Sequence, residues 1–487
     1  MQLSPARALA LLGCLTVASI AAAAPGGGSI TISGAFGTLS AVAFQGDEAM
    51  SSLFRFDVDV VTDADLAFDS ILGSELTATV ATGQTTRRFS GICSRISQGR
   101  VDDRFTYRFE LVPKLALLTL NQDSRIFQDK SVPDILRVVL AQHGIDFQVA
   151  LTRSYPARDY CVQYRESDFN FVSRLMEEEG IWYFFTIGTT GHRMILGDSP
   201  AANPSLGSAT FLPAVQKQGG EAVFAWQKTQ ELRPGKVTLF DSHFELPHQH
   251  LDATRTIQQS VAAGRVTHML ALPATSNLEV YDYPGGYAQR FDGIEDLPKI
   301  FSEATRAASV RMEELAATAI VIEGGSTMPL FTGGSRVTLA RHPNGDGQYV
   351  LTTVHHSASL AQGSKLDYQN SFTCIPSGLP FRPKRTAPRP VIPGTQTAYV
   401  VGPAGETIFT DKYGRVKVQF HWDRQGKSDE NSSAWLRVGA LHAGQESGFV
   451  FVPEVGDEVL VAFLEGDPDQ PIIVGSVYNP ERLPPSR

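Results

Sequence analysis

Three consecutive glutamates, Glu177 to Glu179, are the first residues in this sequence whose type and spacing suit chemistry. They belong to the stretch ESDFNFVSRLMEEEGIWYFF, from Glu166 to Phe185. Neighbouring carboxylates are the groups from which a general acid and a general base are built. Whether they act in this way depends on the element that carries them.

The residues before and including the glutamates have the pattern of one amphipathic helix, Asp168 to Glu179. Ser167 is a suitable N-cap, and Gly180 suits the left-handed position that ends many helices. At 100° per residue, one arc of this helix carries all the apolar side chains. They are Phe169, Phe171, Val172, Leu175 and Met176.

Such a helix separates the three carboxylates from one another. Successive residues point about 100° apart, so three in a row cannot converge on one substrate. We predict that Glu177 and Glu178 face solvent, with Arg174 pairing to Glu178, and that Glu179 edges toward the apolar arc. The glutamates are therefore interpreted as structural, with a charged contact between subunits as one form of that role.

The stretch IWYFFTI follows Gly180 and predicts a strand that is apolar, and so buried, on both faces. We expect Trp182 to pack against Phe169, Val172 and Met176. Helix and strand then form one packing unit.

A second candidate for chemistry is the histidine-rich stretch DSHFELPHQHLD. His248 and His250 have the spacing to share a strand face and bind a metal ion, with His243 nearby. No neighbouring cysteine completes a ligand set, so no metal site is predicted.

No enzyme motif was found in the sequence. It contains no G-x-S-x-G, H-E-x-x-H or Walker A pattern, and GGS at Gly333 to Ser335 is a turn before a strand. We therefore expect a protein that is not an enzyme, with no catalytic, cofactor-binding or metal-ligating residue and no cofactor.

Composition limits the classes of protein to consider. The chain has 487 residues, a formal net charge of −9 at pH 7 and a pI near 5.7, which argues against a nucleic-acid partner because such footprints are basic. This length predicts about three domains. The four cysteines have no zinc or redox spacing and are interpreted as small buried apolar residues. They are Cys14, Cys93, Cys161 and Cys374.

Residues 1–28 resemble a targeting segment and its Gly-rich junction. Arg7 precedes an apolar run from Ala8 to Ala24, which is short for a membrane span and fits a signal peptide with an Ala-x-Ala cleavage site. LLGC, ending at Cys14, is a weaker match to a lipoprotein box. A misassigned start codon or a disordered tail is the alternative. A secreted, extracellular or cell-envelope protein is expected.

After residue 28 the pattern is mainly β with a few helices, in several domains of an α+β kind. Runs such as SELTATV and FTYRFELVP are rich in β-branched and aromatic residues and are separated by turn residues. Three stretches are predicted to be helical: Val132 to Gln142, Asp168 to Glu179 and about Lys299 to Thr318.

The C-terminal part reads as a separate small barrel. FRPKRTAPRPVIPG, Phe381 to Gly394, is predicted to be a solvated linker stiffened by proline. Beyond it, Val416, Val418, Phe420 and Trp422 alternate with polar residues, which is typical of a half-buried strand. Phe420 and Trp422 take the inward face, so no stacking platform for nucleic acid is expected.

Several motifs resemble, in order, those of the VgrG family, the tip proteins of type VI secretion systems. YCVQYRESDFNFVSRLMEEEGIWYFF resembles the family's signature segment, and FQGDEAMSSLFRFDVDVV resembles its opening segment. FSGICSRI, YDYPGGY, ARHPNGDGQYVLTTVHH and YQNSFTCIP resemble further landmarks. GPAGETIFTDKYGRVKVQFHWDRQGKSDENSSAWLRV and VGDEVLVAFLEGDPDQPIIVGSVYN resemble its OB-fold. The resemblance covers Ser29 to Asn479.

The resemblance implies a domain order. A phage tail-hub-like region at 29–380 holds a β-barrel at about 29–120, an α/β segment at about 121–225 and a second barrel at about 226–380. A Pro/Arg-rich linker at 381–393 and an OB-fold barrel at 394–487 follow.

The resemblance also implies a function. It is that of a homotrimeric structural hub in a type VI-like contractile injection system, seated on an Hcp-like tube ring among baseplate proteins. Such a hub carries effectors, an effector adaptor or a separate spike protein. Two features depart from the family pattern: the chain ends at NPERLPPSR, where a β-helical spike would begin, and the family normally needs no leader. The alternative is a separately exported envelope or extracellular binding protein that reuses the VgrG hub scaffold.

Overall fold

The computed structural model describes residues 28–188, 191–213, 220–293, 295–360 and 366–485. The predicted leader lies outside these residues except for Gly28. The described chain is mainly β, as expected. Its α-helices are α1 (Val132–Gln142), α2 (Asp168–Glu179) and α3 (Leu297–Ala316). The first two have the predicted bounds, and the third begins and ends two residues earlier than predicted.

The first six strands close into a barrel. Their residues alternate between a buried inner face and a solvated outer face, as in the strand that buries Phe56, Val58 and Val60. The strands are β1 (Ser29–Gly34), β2 (Gly37–Ala49), β3 (Arg55–Thr62), β4 (Glu75–Ala81), β5 (Thr86–Val101) and β6 (Arg104–Val112). Because β1 pairs with both β4 and β2, the order β1-β4-β5-β6-β3-β2 returns to its start.

An α/β insert follows the first barrel and contains α1 and α2. Its strands are β7 (Gln122–Phe127), β8 (Phe147–Ala150), β9 (Cys161–Ser167), β10 (Trp182–Ile187) and β11 (His192–Gly197). The strands form a sheet of order β10-β11-β8 and a β7–β9 pair. The apolar sides of α1 and α2 bury themselves in a core that is continuous with that of the first barrel.

A second barrel is built from strands on both sides of a long excursion. Before and within the excursion lie β12 (Ser205–Thr210), β13 (Val223–Gln230), β14 (Lys236–Asp241), β15 (Leu251–Thr256), β16 (Ser260–Ala263), β17 (Val266–Met269), β18 (Glu279–Asp282) and α3. After it lie β19 (Ile320–Ser326), β20 (Arg336–Ala340), β21 (Gly347–Leu360) and β22 (Leu366–Pro376). The order β13-β19-β22-β21-β20-β12 closes through a bridge between Phe211 and Val223. β12 lies in the range predicted for the α/β segment, yet it belongs to this barrel because it pairs with β20.

The two barrels are fused into one twelve-stranded sheet where β2 pairs with β21. We call this ladder, Ala43–Ala49 against Thr353–Ser359, the barrel joint. Arg87 Nη2 donates to Glu48 Oε1 at 2.5 Å inside it, and both side chains are buried. Burial by itself would raise the pKa of Glu48, but the charge of Arg87, the nearby His356 ring and a hydrogen bond from Thr332 lower it to about 2.

The C-terminal domain is a five-stranded barrel. Its strands are β23 (Gln396–Val401), β24 (Lys417–Phe420), β25 (Arg437–Val438), β26 (Glu458–Phe463) and β27 (Pro471–Val477). The order β24-β23-β26-β27-β25 closes through a bridge between Val416 and Leu436. Val416, Val418 and Phe420 are buried in its core, as the alternation predicts.

The cysteines and the helices bear on two further expectations from the sequence. Cys93, Cys161 and Cys374 are unpaired and buried, which confirms their interpretation as apolar core residues, and Cys14 lies outside the described residues. Among the residues that the structure describes, no helix has both the length and the apolar character needed to cross a membrane.

Candidate functional site at a charged junction

The helix that carries the three glutamates has the predicted ends. Ser167 Oγ accepts a hydrogen bond from Asn170 N at 3.1 Å, and Gly180 has a left-handed φ of 68°. Phe171, Val172 and Met176 of the apolar arc are buried. Both the element and its phase are therefore as expected.

The prediction that Glu177 and Glu178 face solvent is wrong. Glu177 is 9% exposed, and the Glu178 side chain is 15% exposed. The polar side of α2 is covered by segments far away in the chain, the 381–394 stretch among them. A helical pattern identifies the polar side of a helix, but it does not show whether another part of the chain covers that side.

Glu177 binds the stretch that was predicted to be a linker. Its Oε2 accepts hydrogen bonds from the backbone N–H groups of Thr386 at 2.9 Å and Ala387 at 3.0 Å, and Oε1 accepts from Thr386 Oγ1 at 3.0 Å. Burial raises the pKa of Glu177, and these hydrogen bonds oppose the rise.

Glu178 and Glu179 instead bind guanidinium groups from three other segments. Arg158 Nη1 lies 3.0 Å from Glu178 Oε2, and its Nη2 donates to Glu179 Oε1. Arg290 Nη1 is 3.0 Å from Glu179 Oε1, and Arg306 Nη2 of α3 is 2.5 Å from Glu179 Oε2. Glu178 and Glu179 thus bind the loop before β9, the loop before α3 and α3 itself.

These arginines keep the two carboxylates ionised. Burial would raise the pKa of Glu179, but Arg306, Arg290 and Arg158 together lower it to about 2. Glu178 behaves in the same way, with Arg158 and Arg389 holding its pKa well below the usual range against burial. A carboxyl in this state cannot serve as a general acid near neutral pH.

The expected pair between Arg174 and Glu178 is present but long, at 3.9 Å. The main partner of Arg174 is Glu166, with Nη2 at 2.8 Å from Oε1, and Nη2 also donates to Val162 O at 2.8 Å. Arg174, which was predicted to pair with a solvent-facing Glu178, is itself buried by these contacts.

The prediction of a solvated linker at 381–394 holds only in part: residues such as Lys384 and Arg389 are exposed, but Arg382 and Ile392 are buried. Arg382 is 4% exposed; its Nε donates to Glu313 Oε2 of α3 at 2.7 Å and its Nη1 to Gly180 O at 3.2 Å. Arg389 Nη2 lies 2.9 Å from Asp467 Oδ2 and 3.2 Å from Asp469 Oδ2 in the C-terminal barrel. Arg382 and Arg389, which suggested solvation, instead hold the stretch in place through ion pairs with partly buried carboxylates.

We call this set of contacts the charged junction. It comprises Glu177, Glu178, Glu179, Arg158, Arg174, Arg290, Arg306, Arg382 and Arg389 with their partners. Both carboxylate oxygens of Glu177 accept hydrogen bonds, and Glu178 and Glu179 each have at least one oxygen in an ion pair. The arrangement is therefore suited to fastening the insert, α3 and the C-terminal barrel together. Sequence reasoning missed all the arginine partners except Arg174. The one available signal was the run of glutamates at a helix C-terminus, where negative charge is unfavourable without counter-ions.

A second group of carboxylates lies beside the junction. Asp159 Oδ2 is buried without a hydrogen-bond partner. Burial raises the pKa of Asp159 to about 7, helped by the charges of Asp292, Asp129 and Asp296. Arg415 of the C-terminal barrel partly offsets this charge, since its Nη1 lies 2.8 Å from Asp292 Oδ1.

Trp182 is buried as predicted, but not against the predicted partners. It lies 2% exposed in a cluster with Met50, Phe184, Val350 and Ile375. Tyr183 and Phe185 take the other face of β10 and join the core of α2. Successive side chains of β10 point to opposite faces, so Trp182 faces away from α2. It packs against the ends of β2, β21 and β22 beside the barrel joint and so fastens the insert to the barrels.

The candidate histidines lie apart from any strand face. His243 is buried, with Nε2 3.0 Å from Phe291 O and Nδ1 accepting from Glu245 N. His248 and His250 lie in the loop between β14 and β15, because the chain leaves the sheet after Asp241. In the part of the chain that the structure describes, no three His, Cys, Asp or Glu side chains form a group suited to a metal ion. Gly333 to Ser335 form the turn before β20, as predicted.

Comparison with known families matches two parts of the chain. Residues 47–363 match the phage tail baseplate hub family, and residues 404–478 match the type VI secretion system/phage-baseplate injector OB domain. The first match covers the insert and most of both barrels, and the second covers most of the C-terminal barrel.

Curated relatives and solved structures agree with these matches. The chain is 38% identical over 459 residues to the type VI secretion system spike protein VgrG1c of Pseudomonas aeruginosa, covering 91% of this chain and 60% of the relative. It is also 38% identical to VgrG1a of the same organism, with 68% of that relative covered. The chain thus spans about three fifths of the length of the first of these relatives.

Two solved structures share the fold. One is an Escherichia coli component of the type VI secretion system, described as similar to the bacteriophage T4 tail proteins gp27 and gp5. It superposes with a TM-score of 0.64 at 22% identity and covers 92% of this chain and 99% of its own. The other belongs to a Francisella PdpA–VgrG complex, with a TM-score of 0.59 at 11% identity over 93% of this chain and 78% of its own.

Proposed function

This chain belongs to the VgrG family of type VI secretion spike proteins, and we propose that it works as the structural hub at the tip of a contractile injection machine. The observation that carries the proposal is the fastening of all three barrels into one body. The first two share a sheet across the barrel joint, and the third is held by the ion pairs of Arg389 with Asp467 and Asp469 and of Arg415 with Asp292. A component that transmits an axial thrust needs this rigidity, because domains joined by a free linker move independently.

The proposed assembly is a homotrimer. Each copy contributes two six-stranded barrels, so three copies supply six such units to face a hexameric Hcp-like tube ring. An interface that holds such a hub together belongs to the obligate class, above about 2,000 Å². The relatives in Pseudomonas aeruginosa are named spike proteins, which supports a position at the tip of the machine.

The proposed partners are the tube ring, baseplate proteins and a carried effector or spike protein. The Francisella relative was solved in a complex with PdpA, which supports a VgrG scaffold as a docking partner for other proteins. In this proposal the chain acts mechanically, without a catalytic site or cofactor, and reaches the extracellular space or the cell envelope.

Assembly state is the first test. Light scattering on the purified chain at micromolar concentration is expected to give the mass of three copies, and sedimentation with an Hcp-like tube protein is expected to bring both into one complex. A stable monomer that also fails to bind the tube protein would contradict the hub and favour the separately exported binding protein.

A secretion assay is the second test. Cells that lack the chain are expected to stop releasing the Hcp-like tube protein, and expression of the intact chain is expected to restore release. Normal tube release without the chain would contradict a hub role.

A further inference from the structure

The connection between β25 and β26 stands out from the C-terminal barrel as an apolar hairpin. Every residue from Gly439 to Phe451 is exposed, and Glu446 is the single charged residue among them. Leu441 is 88% exposed, Val450 84%, Phe451 75% and Phe449 53%. A solvated loop normally carries charge, so this composition indicates a surface that another body covers.

The hairpin is apolar on both of its faces. Ala443 bridges Gly448 in an antiparallel arrangement, and Phe449 N donates to His442 O at 3.0 Å. Continuing this register places Leu441 opposite Val450, on one face of the ribbon. Phe449 and Phe451 take the other face, where their rings lie 6.5 Å apart and 10° from parallel.

A ribbon with two apolar faces needs cover on both sides. A single partner that binds a surface normally covers one face of a ribbon. In a ring of identical copies, each copy instead has one neighbour on each side, so a hairpin that projects from one copy can meet two bodies at once. The two-faced character therefore favours copies of this chain over an unrelated partner.

The same barrel also exposes apolar side chains that can receive such a hairpin. Val474 of β27 is 51% exposed and Tyr478, just after it, is 65% exposed. Val474 lies beside Gly439 at the base of the hairpin, so the projecting element and the exposed strand belong to one barrel surface. An apolar projection on one copy that packs against such a strand on the next makes a head-to-tail contact, which closes into a ring when the rotation allows.

We infer that the hairpin 439–451 is an inter-subunit clasp, inserted between the C-terminal barrels of two other copies of this chain. The inference rests on the proposed trimer and names the element that holds its C-terminal barrels together. Because the hairpin is exposed in the single chain, polar substitutions there should weaken assembly and leave the fold of each chain intact.

Two double variants test the two faces separately. Leu441→Ser with Val450→Ser removes one face, and Phe449→Ser with Phe451→Ser removes the other. The matched control is Leu232→Ser with Leu278→Ser, two exposed leucines on the second barrel's excursion that are 66% and 56% exposed. Thermal unfolding of each variant, measured on the dissociated chain, is expected to match the wild type.

Sedimentation equilibrium then measures the trimer dissociation constant. Both hairpin variants are expected to raise it at least tenfold, and the control to leave it unchanged. If wild type is a trimer and neither hairpin variant weakens it, the clasp is overturned while the proposed hub survives. If wild type is a monomer at all accessible concentrations, both fail.

Crosslinking identifies the occupant directly. A photoreactive benzoylphenylalanine at position 450, in a mixture of ¹⁵N-labelled and unlabelled copies, is expected to join peptides of different isotopic mass, including peptides of the C-terminal barrel. Products confined to one isotope, or the absence of any multimer product, overturn the clasp. The clasp is also overturned if position 450 of the assembled hub crosslinks only to a different protein.

Discussion

The barrel joint and the charged junction both hold domains together, and they do so with different physics. At the barrel joint, seven consecutive residue pairs of β2 and β21 continue a hydrogen-bonded ladder, and one buried pair, Glu48 with Arg87, supports it. At the charged junction, the connection consists of side-chain ion pairs and of backbone N–H groups bound to a carboxylate, from segments up to about two hundred residues apart. The ladder spreads its stability over many neutral bonds, whereas the junction concentrates it in a few charges.

The difference predicts how each connection fails. A neutral hydrogen bond contributes about 1 kcal/mol, so losing one from a ladder is tolerable. Removing one member of a buried ion pair leaves its partner as an uncompensated buried charge, which costs about 3–5 kcal/mol. The stability that the junction contributes should therefore change with single substitutions and with pH. The stability contributed by apolar packing beside the barrel joint should not depend on pH, because it involves no charged group.

The largest expected effect is that of Trp182→Ala. Trp182 packs with Met50, Val350 and Ile375, and truncating a buried aromatic typically costs about 3–5 kcal/mol. Urea denaturation should show this loss equally at pH 8 and pH 5, because no charged group is removed. A loss smaller than about 1 kcal/mol, or one that varies strongly with pH, would contradict the packing role.

Glu179→Gln should follow closely, with a loss of about 3 kcal/mol at pH 7. Gln keeps hydrogen-bonding capacity but leaves Arg158, Arg290 and Arg306 without their shared negative charge. Urea denaturation measures the loss, and Glu481→Gln, at an exposed position, is the matched control with an expected change under about 0.5 kcal/mol. Equal stability of the two variants would mean that the junction is held by something other than these charges.

The third expectation concerns how the stability difference between wild type and Glu179→Gln depends on pH. The folded-state pKa of Glu179, about 2, lies below its ordinary value of 4.5. Its ionised form therefore stabilises the fold above about pH 4.5, and this contribution is lost as the pH falls toward 2. The stability gap between wild type and Glu179→Gln should narrow steadily over that range, while the gap for Trp182→Ala should stay constant. A constant gap for both variants would remove the distinction between the two connections.

The smallest expected effect is a gain. The pKa of Asp159 is raised to about 7, so its ionised form weakens the fold as the pH rises from about 4 through 7. Asp159→Asn should be more stable than wild type at pH 8 by roughly 1 kcal/mol, and no more stable at pH 4. Thermal melting at the two pH values checks this, with the exposed Asp103→Asn as control. Destabilisation at pH 8 would show that the Asp159 carboxylate has a partner that holds it ionised.

Local features of the fold followed from the sequence because they depend on neighbouring residues. Ser167 and Gly180 end α2 as predicted, since capping involves residues three or four positions apart. The alternation through Val416, Val418 and Phe420 gave a strand with the correct buried face. The motifs that resemble the VgrG family were recognisable because they are contiguous stretches in a fixed order.

Predictions that required knowledge of a distant partner failed. The polar side of α2 was expected to face solvent, but Glu177 binds Thr386 and Ala387, about two hundred residues later. The composition of Phe381 to Gly394 indicated solvent, but Arg382 meets Glu313, about seventy residues earlier.

The sequence by itself determined the helices, most strand faces, the buried state of Trp182 and the family. Periodicity and capping are short-range properties, so a single chain segment carries them. Only the tertiary structure decided that Glu177 and Glu178 are covered, and that Arg158, Arg290 and Arg306 converge on Glu179. The reason is that a charged side chain is equally suited to water and to a buried counter-ion, and the choice depends on residues that only folding brings within hydrogen-bonding distance.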